Sequence, residues 1–199
     1  MNPKLPREFY LRSDTLTVAR ELLGKLIVVP DQTGERMSGM IVETEAYLGL
    51  TDQAAHSYGG RRTPRNEVMY GLAGHAYVFF VYGIYNQFNV VTGPTDHPHA
   101  ILVRSVEPVE GIEAMRERRG PMKDRNLTSG PGKLCIAFGI DRSFNGENLL
   151  ADHIWLEDHR EFSSGEIAAG KRIGIDYAGE DAEKPWRFWV KENPFVSRK

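Results

Sequence analysis

Ile41-Val-Glu-Thr-Glu-Ala-Tyr-Leu-Gly49 has the β-branched and aromatic content of a strand, yet it carries two carboxylates. Side chains alternate along a strand, which predicts Ile41, Glu43, Glu45 and Tyr47 on one side and Val42, Thr44 and Ala46 on the other. Two readings follow. One is a solvated acidic sheet face, since carboxylates are mostly exposed. The other is a cleft in which one carboxylate serves as general base and Tyr47 as a flat wall for a ring-shaped substrate.

The flanking segments favour a hairpin around this strand. Lys25-Leu-Ile-Val-Val-Pro30 reads as a short buried strand, and Asp31 to Glu35 supplies the turn that returns the chain antiparallel. Upstream, Asp14 to Leu23 has a capping residue, apolar residues at helical spacing and Gly24 at the stop. Downstream, Leu50 to Arg62 is a loop containing His56, tethered close to Tyr47. Thr63 to Met69 has a cap, a proline at the first helical position and an acid in the first turn. It reads as a short helix with Arg61, Arg62 and Arg65 at or before its N-terminus, a place that favours an anion.

A second hairpin spans His75 to Thr92, turning at Tyr82-Gly-Ile-Tyr85. Tyr82 or Tyr85 is expected to project from its tip, while most of Tyr77, Phe79, Phe80 and Phe88 are expected in the core. Asn89 needs hydrogen-bond partners if buried. Ala100 to Glu107 is a strand whose Arg104 requires a carboxylate, which Glu43 or Glu45 could supply. His97 and His99 lack the companions of a metal site and read as a polar loop. Val109 to Arg119 reads as a helix, and a basic cluster runs from Arg116 to Arg125. Ser129 to Gly139 joins a Gly-rich turn to a helix bearing Lys133, an arrangement able to hold a phosphate. Further strands are expected at 153–156, 171–175 and 187–191.

With 199 residues, 41% apolar and 26% charged, the chain suits one soluble domain spanning 1–199. Its net charge of -2 gives no global argument for a nucleic-acid partner. One cysteine, Cys135, cannot form an internal disulfide, and no stretch approaches a membrane span. The N-terminal residues lack a secretory core, so a cytoplasmic location is expected.

Taken together, the 41–49 stretch, Ala54-Ala-His-Ser57, Thr63-Pro-Arg-Asn66, Tyr82-Gly-Ile-Tyr85, Leu102-Val-Arg104 with Glu107-Pro108, Ser129-Gly-Pro-Gly-Lys-Leu-Cys135 and Arg172-Ile-Gly-Ile175 resemble the alkyladenine (3-methyladenine) DNA glycosylase family. The resemblance implies a compact mixed α+β domain with a curved, largely antiparallel sheet, a protruding hairpin and surrounding helices. It implies a monofunctional hydrolase that flips a damaged purine (3-methyladenine, 7-methylguanine, hypoxanthine or ethenoadenine) out of duplex DNA and cuts its N-glycosidic bond. Carried onto this chain, Glu45 is the general base, and Arg104 and the main-chain carbonyl of Ile173 hold the attacking water. Tyr47 and His56 sandwich the base against Phe79, where the mammalian pattern has tyrosine. Asn89 polices the purine 2-position, Tyr82 wedges into the duplex, and Arg61, Arg62, Arg65 and Lys133 meet the backbone. The expected partner is double-stranded DNA with damaged purines, met by a monomer that needs no cofactor, metal or membrane and joins the nucleoid when on DNA. Two alternatives remain. A glycoside hydrolase would need carboxylates flanking a bond, whereas Glu43 and Glu45 point the same way. A non-catalytic nucleic-acid-binding module would leave Glu45 without a role.

Overall fold

The computed structural model describes residues 2–81 and 83–198. Its centre is the predicted acidic strand, β2 (Arg36–Tyr47), which is longer than the 41–49 stretch alone suggests. The apolar run β1 (Leu26–Pro30) pairs antiparallel with the first half of β2, joined by a turn in which Asp31 Oδ1 accepts from the Thr33 and Glu35 N–H groups. Along the opposite edge of β2 lies β5 (His99–Glu110). The hairpin β3 (Ala76–Val81) and β4 (Tyr85–Thr92) continues the sheet beyond β5. On the other side β1 pairs β6 (Trp155–Glu157), while β8 (Arg187–Val190) pairs the second half of β2 and carries β7 (Ile167–Gly170). All these pairings are antiparallel, and the sheet curls into a half-barrel.

Helices α1 (Arg7–Leu11), α2 (Thr15–Glu21), α3 (Ile112–Arg119) and α4 (Pro131–Phe138) surround the sheet. Asp14 caps α2 by accepting from the Thr17 N–H, a contact worth about 1 kcal/mol. The principal core gathers Leu22, Leu23, Ile41, Val42, Phe88, Ile101, Val103, Leu134 and Phe138. Thr44 Oγ1 donates to the Ala19 carbonyl (2.8 Å), so that side of β2 faces α2.

Period-two alternation then turns Glu45, Tyr47, Leu102, Asn89, Tyr77 and Phe79 to the opposite face, where they line a cavity. The alternation fails once. Register shifts at Ile41/Glu43 and Glu43/Thr44 put Ile41 in the core alongside Val42, instead of on the side of Glu43. The solvated-face reading is also overturned, because Glu43 and Glu45 are both 0% exposed.

Other expectations need correction. Residues 63–69 form no α-helix; only a 3-10 turn, Glu67–Tyr70, follows the arginines. The Asn66 side chain explains this: its Oδ1 accepts the Thr63 N–H while its Nδ2 donates to the His56 and Arg61 carbonyls. Residues 171–175 are irregular, the strand lying earlier at Ile167–Gly170. β5 runs to Glu110 and delays α3 to Ile112. Phe80 is exposed rather than core, because β4 pairs β5 only from Asn89 to Thr92 and the outer hairpin has no third strand. That outer part protrudes, with Ile84 and Tyr85 exposed and Gly83 at a left-handed φ of 68° in the turn. Tyr82, the expected wedge, lies outside the described residues.

Candidate active site

One rung of the sheet builds the floor of the cavity. Tyr77 pairs with Asn89, Asn89 with Leu102 and Leu102 with Glu45, so four strands present these side chains in a row. Tyr47, His56, Phe79, Arg65, Arg104 and Ile173 complete the walls of a cavity of about 300 Å³.

The two carboxylates of β2 have different surroundings. Glu43 accepts from Arg104 Nε (2.9 Å), Arg187 Nη1 (3.0 Å), Ser105 Oγ (3.0 Å) and both the N–H (2.7 Å) and hydroxyl (3.0 Å) of Ser197. Burial pushes its pKa up, but Arg104 and Ser197 outweigh this and hold it below the usual range. Glu43 does not line the cavity; Glu45 does. Glu45 Oε1 accepts the Ile173 N–H (2.8 Å) and lies 3.2 Å from Arg104 Nη1, while Oε2 accepts the Tyr47 hydroxyl (2.8 Å). Burial first, and the Glu45 charge second, raise the Tyr47 hydroxyl well above its ordinary pKa, so it remains a donor. Each Glu45 oxygen keeps capacity for a further partner, which suits a carboxylate that takes a proton from water.

Arg104 thus finds both candidate carboxylates. The Ile173 contact to Glu45 runs through its N–H, a role that sequence reasoning did not assign.

On the aromatic side, His56 Nδ1 is hydrogen-bonded to the Tyr77 hydroxyl (2.7 Å), and its ring meets Phe79 edge-on at 4.6 Å. Burial, helped by Arg65 and Arg61, lowers the His56 pKa to about 4, which leaves a neutral imidazole. Asn89 Nδ2 donates to the Tyr77 (3.1 Å) and Gln87 (3.4 Å) carbonyls, fixing the amide.

The basic residues separate. Arg61 and Lys133 are exposed and, among the described residues, without an ion pair. Arg62 is exposed and pairs with Glu67 and Asp96, which are exposed as well. The Arg116 to Arg125 cluster is largely structural: Arg116 pairs with Glu113 and Asp124, and Arg118 and Arg119 donate to backbone carbonyls. His99 bonds Thr15 Oγ1 (2.9 Å) within the fold.

A buried ion pair behind the cavity was not foreseen. Arg172 Nη1 and Nη2 grip Asp52 Oδ2 (2.6 Å) and Oδ1 (2.8 Å), and Arg172 also donates to the Ala46 carbonyl (2.9 Å). The same Asp52 accepts the Leu48 and Ala54 N–H groups, and the guanidinium lies 4.7 Å from the Tyr47 ring centre. The pair joins the end of β2, the His56 loop and the segment supplying Ile173. The available signal is slight, an arginine that follows Lys171 and opens the short stretch Arg172-Ile-Gly-Ile175.

A family model described as methylpurine-DNA glycosylase matches residues 8–194. The chain is 47% identical over 204 residues to a protein of Clostridium novyi (strain NT), covering 98% of this chain and 99% of that protein. It is 51% identical over 205 residues to one of Bacillus cereus (strain G9842), with 98% of each covered. With one of Clostridium acetobutylicum it shares 50% identity over 202 residues, 98% of this chain and 97% of the other. All three bear the name "Putative 3-methyladenine DNA glycosylase".

Proposed function

The chain belongs to the methylpurine-DNA glycosylase family, and from that premise we propose that residues 1–199 act as one DNA repair glycosylase domain. Its substrates are purine nucleotides damaged by alkylation or deamination in duplex DNA: 3-methyladenine, 7-methylguanine, hypoxanthine and ethenoadenine. The nucleotide is flipped from the stack, and hydrolysis of its N-glycosidic bond leaves an abasic site. The observation that carries this reading is Glu45, fully buried yet lining the cavity and oriented by two hydrogen-bond donors and the Arg104 ion pair.

In this mechanism the flipped base stacks between Tyr47 and the His56–Phe79 pair, each stacked ring contributing roughly 1 to 3 kcal/mol toward the few kcal/mol that extrusion costs. Asn89 meets the purine edge. Glu45 takes the proton of a water as its oxygen attacks C1′, and its negative charge stabilises the positive charge developing on the sugar. Arg104, held by Glu43 on one side, keeps Glu45 aimed into the cavity. Phe79 retains the stack that tyrosine provides in mammalian members without offering a hydroxyl. Tyr82 fills the gap in the duplex, a role proposed from sequence. Arg61 and Lys133 face the phosphates. Among the described residues no helix is long and apolar enough to cross a membrane.

The test is incubation with duplexes carrying one hypoxanthine or one ethenoadenine, followed by alkali. Strand breaks at the lesion support the proposal. Intact strands with every lesion of the set would remove it.

A further inference from the structure

Arg65 and Arg104 are the arginines that line the cavity, and only Arg65 lacks a carboxylate partner among the described residues. Arg104 is shared between Glu43 and Glu45, Arg172 is locked to Asp52 and Arg62 is paired with Glu67 and Asp96. The Arg65 guanidinium lies 5.2 Å from the Phe79 ring centre, donates to the Phe80 carbonyl (3.3 Å) and lines the cavity. It has no carboxylate partner among the described residues. Its charge is therefore not cancelled locally where the base would stack, and the neighbouring His56 imidazole, depressed to about 4 by burial and then by Arg65 and Arg61, registers that field.

Resting on the reading that this cavity takes a flipped purine, we infer that Arg65 stabilises the electron pair carried off by the departing base, instead of anchoring a backbone phosphate. When the C1′–N bond breaks, both of its electrons stay with the base. A purine alkylated at N3 or N7 enters as a cation and leaves neutral. A neutral lesion leaves as an anion and takes a proton from solvent. In both cases water oxygen bonds C1′ and its proton passes to Glu45. The base gains one unit of negative charge either way, so a fixed cation beside it favours the transition state over the bound state. The same cation repels an alkylated purine before cleavage and is indifferent to a neutral one, which makes Arg65 a specificity-determining residue as well.

Arg65 is exposed, so Arg65→Gln and Arg65→Lys can be examined in folded protein, checked by thermal melting. Single-turnover excision at saturating protein is measured on 7-methylguanine and hypoxanthine duplexes. Affinity for these and for undamaged duplex is measured in a Glu45→Gln background at several salt concentrations. Arg65→Gln is expected to slow excision of both lesions about tenfold, as for a lost electrostatic contact at a reacting group that solvent partly screens. It should leave the salt slope intact and bind the 7-methylguanine duplex at least as tightly. Arg65→Lys, which keeps the charge, should recover to within about threefold of the parent rate. Equal weakening on all duplexes with a shallower salt slope and an unchanged single-turnover rate would make Arg65 a phosphate contact and overturn the inference. If the parent protein excises neither of these lesions nor 3-methyladenine nor ethenoadenine, the glycosylase reading itself falls; if it excises both and Arg65→Gln is equally fast, only the role of Arg65 does.

Discussion

Arg172 and Asp52, 120 residues apart in the chain, meet through two hydrogen bonds of 2.6 and 2.8 Å with both side chains 0% exposed. Removing one partner of such a pair strands a buried charge, at a cost of about 3 to 5 kcal/mol. Asp52→Ala is expected to lower unfolding free energy by that amount in urea titrations. If the loss is below about 1 kcal/mol, the pair is not what secures the His56 loop and the Ile173 segment.

Glu45→Gln should retain binding to hypoxanthine DNA and lose about 10²- to 10⁴-fold in excision, because an amide cannot accept the proton of the attacking water. Glu43→Gln should behave in the opposite sense. Its carboxylate is enclosed by Arg104, Arg187, Ser105 and Ser197, so about 3 kcal/mol of stability is expected to go while excision by the folded fraction falls far less. Parallel measurement of urea stability and single-turnover rate separates the two, and an exchange of behaviours would reassign the base.

Tyr47→Phe keeps the stacking ring and deletes the hydroxyl that donates to Glu45 Oε2. One lost hydrogen bond to a charged group corresponds to about a tenfold slower excision. An unchanged rate would mean that Arg104 and the Ile173 N–H suffice to orient the carboxylate.

His56 supplies a pH signature. Its folded pKa of about 4 lies below the unfolded value of 6.5, so acidification protonates the unfolded chain first. The contribution to stability is full above 6.5 and is lost as pH falls from 6.5 to about 4. Urea unfolding at pH 7, 5.5 and 4.5 should show a decline that His56→Gln reduces. An imidazole resonance titrating near 6.5 would contradict the neutral, buried ring.

The sequence made the strands around the site readable because period-two alternation does most of the work there. Glu45 and Tyr47 share a face, Thr44 and Ala46 the other, and the hairpin follows its glycine turn. What alternation cannot show is a bulge, and the register shift at Ile41/Glu43 sent Ile41 to the core. Nor does local pattern announce pairings across distant segments. Nothing local marks Asp52 as the partner of Arg172, the Thr63-Pro helix signal is overridden by the Asn66 side chain, and the Ile173 backbone becomes informative only beside Glu45. Arg104 was an exception, since an arginine in an apolar run must have an anion nearby.

The Glu45–Ile173 contact also imposes an order in time. These residues are 128 positions apart, and Glu43 awaits Ser197, which is 154 positions further on. Translation at about 5 to 20 residues per second places on the order of ten seconds between the emergence of the carboxylates and that of their last donors. Throughout that interval Tyr47, Arg104 and Ser105 are the carboxylates' available donors and the cavity lacks the wall that Ile173 supplies, so the site closes only after the last third of the chain has folded back onto β2.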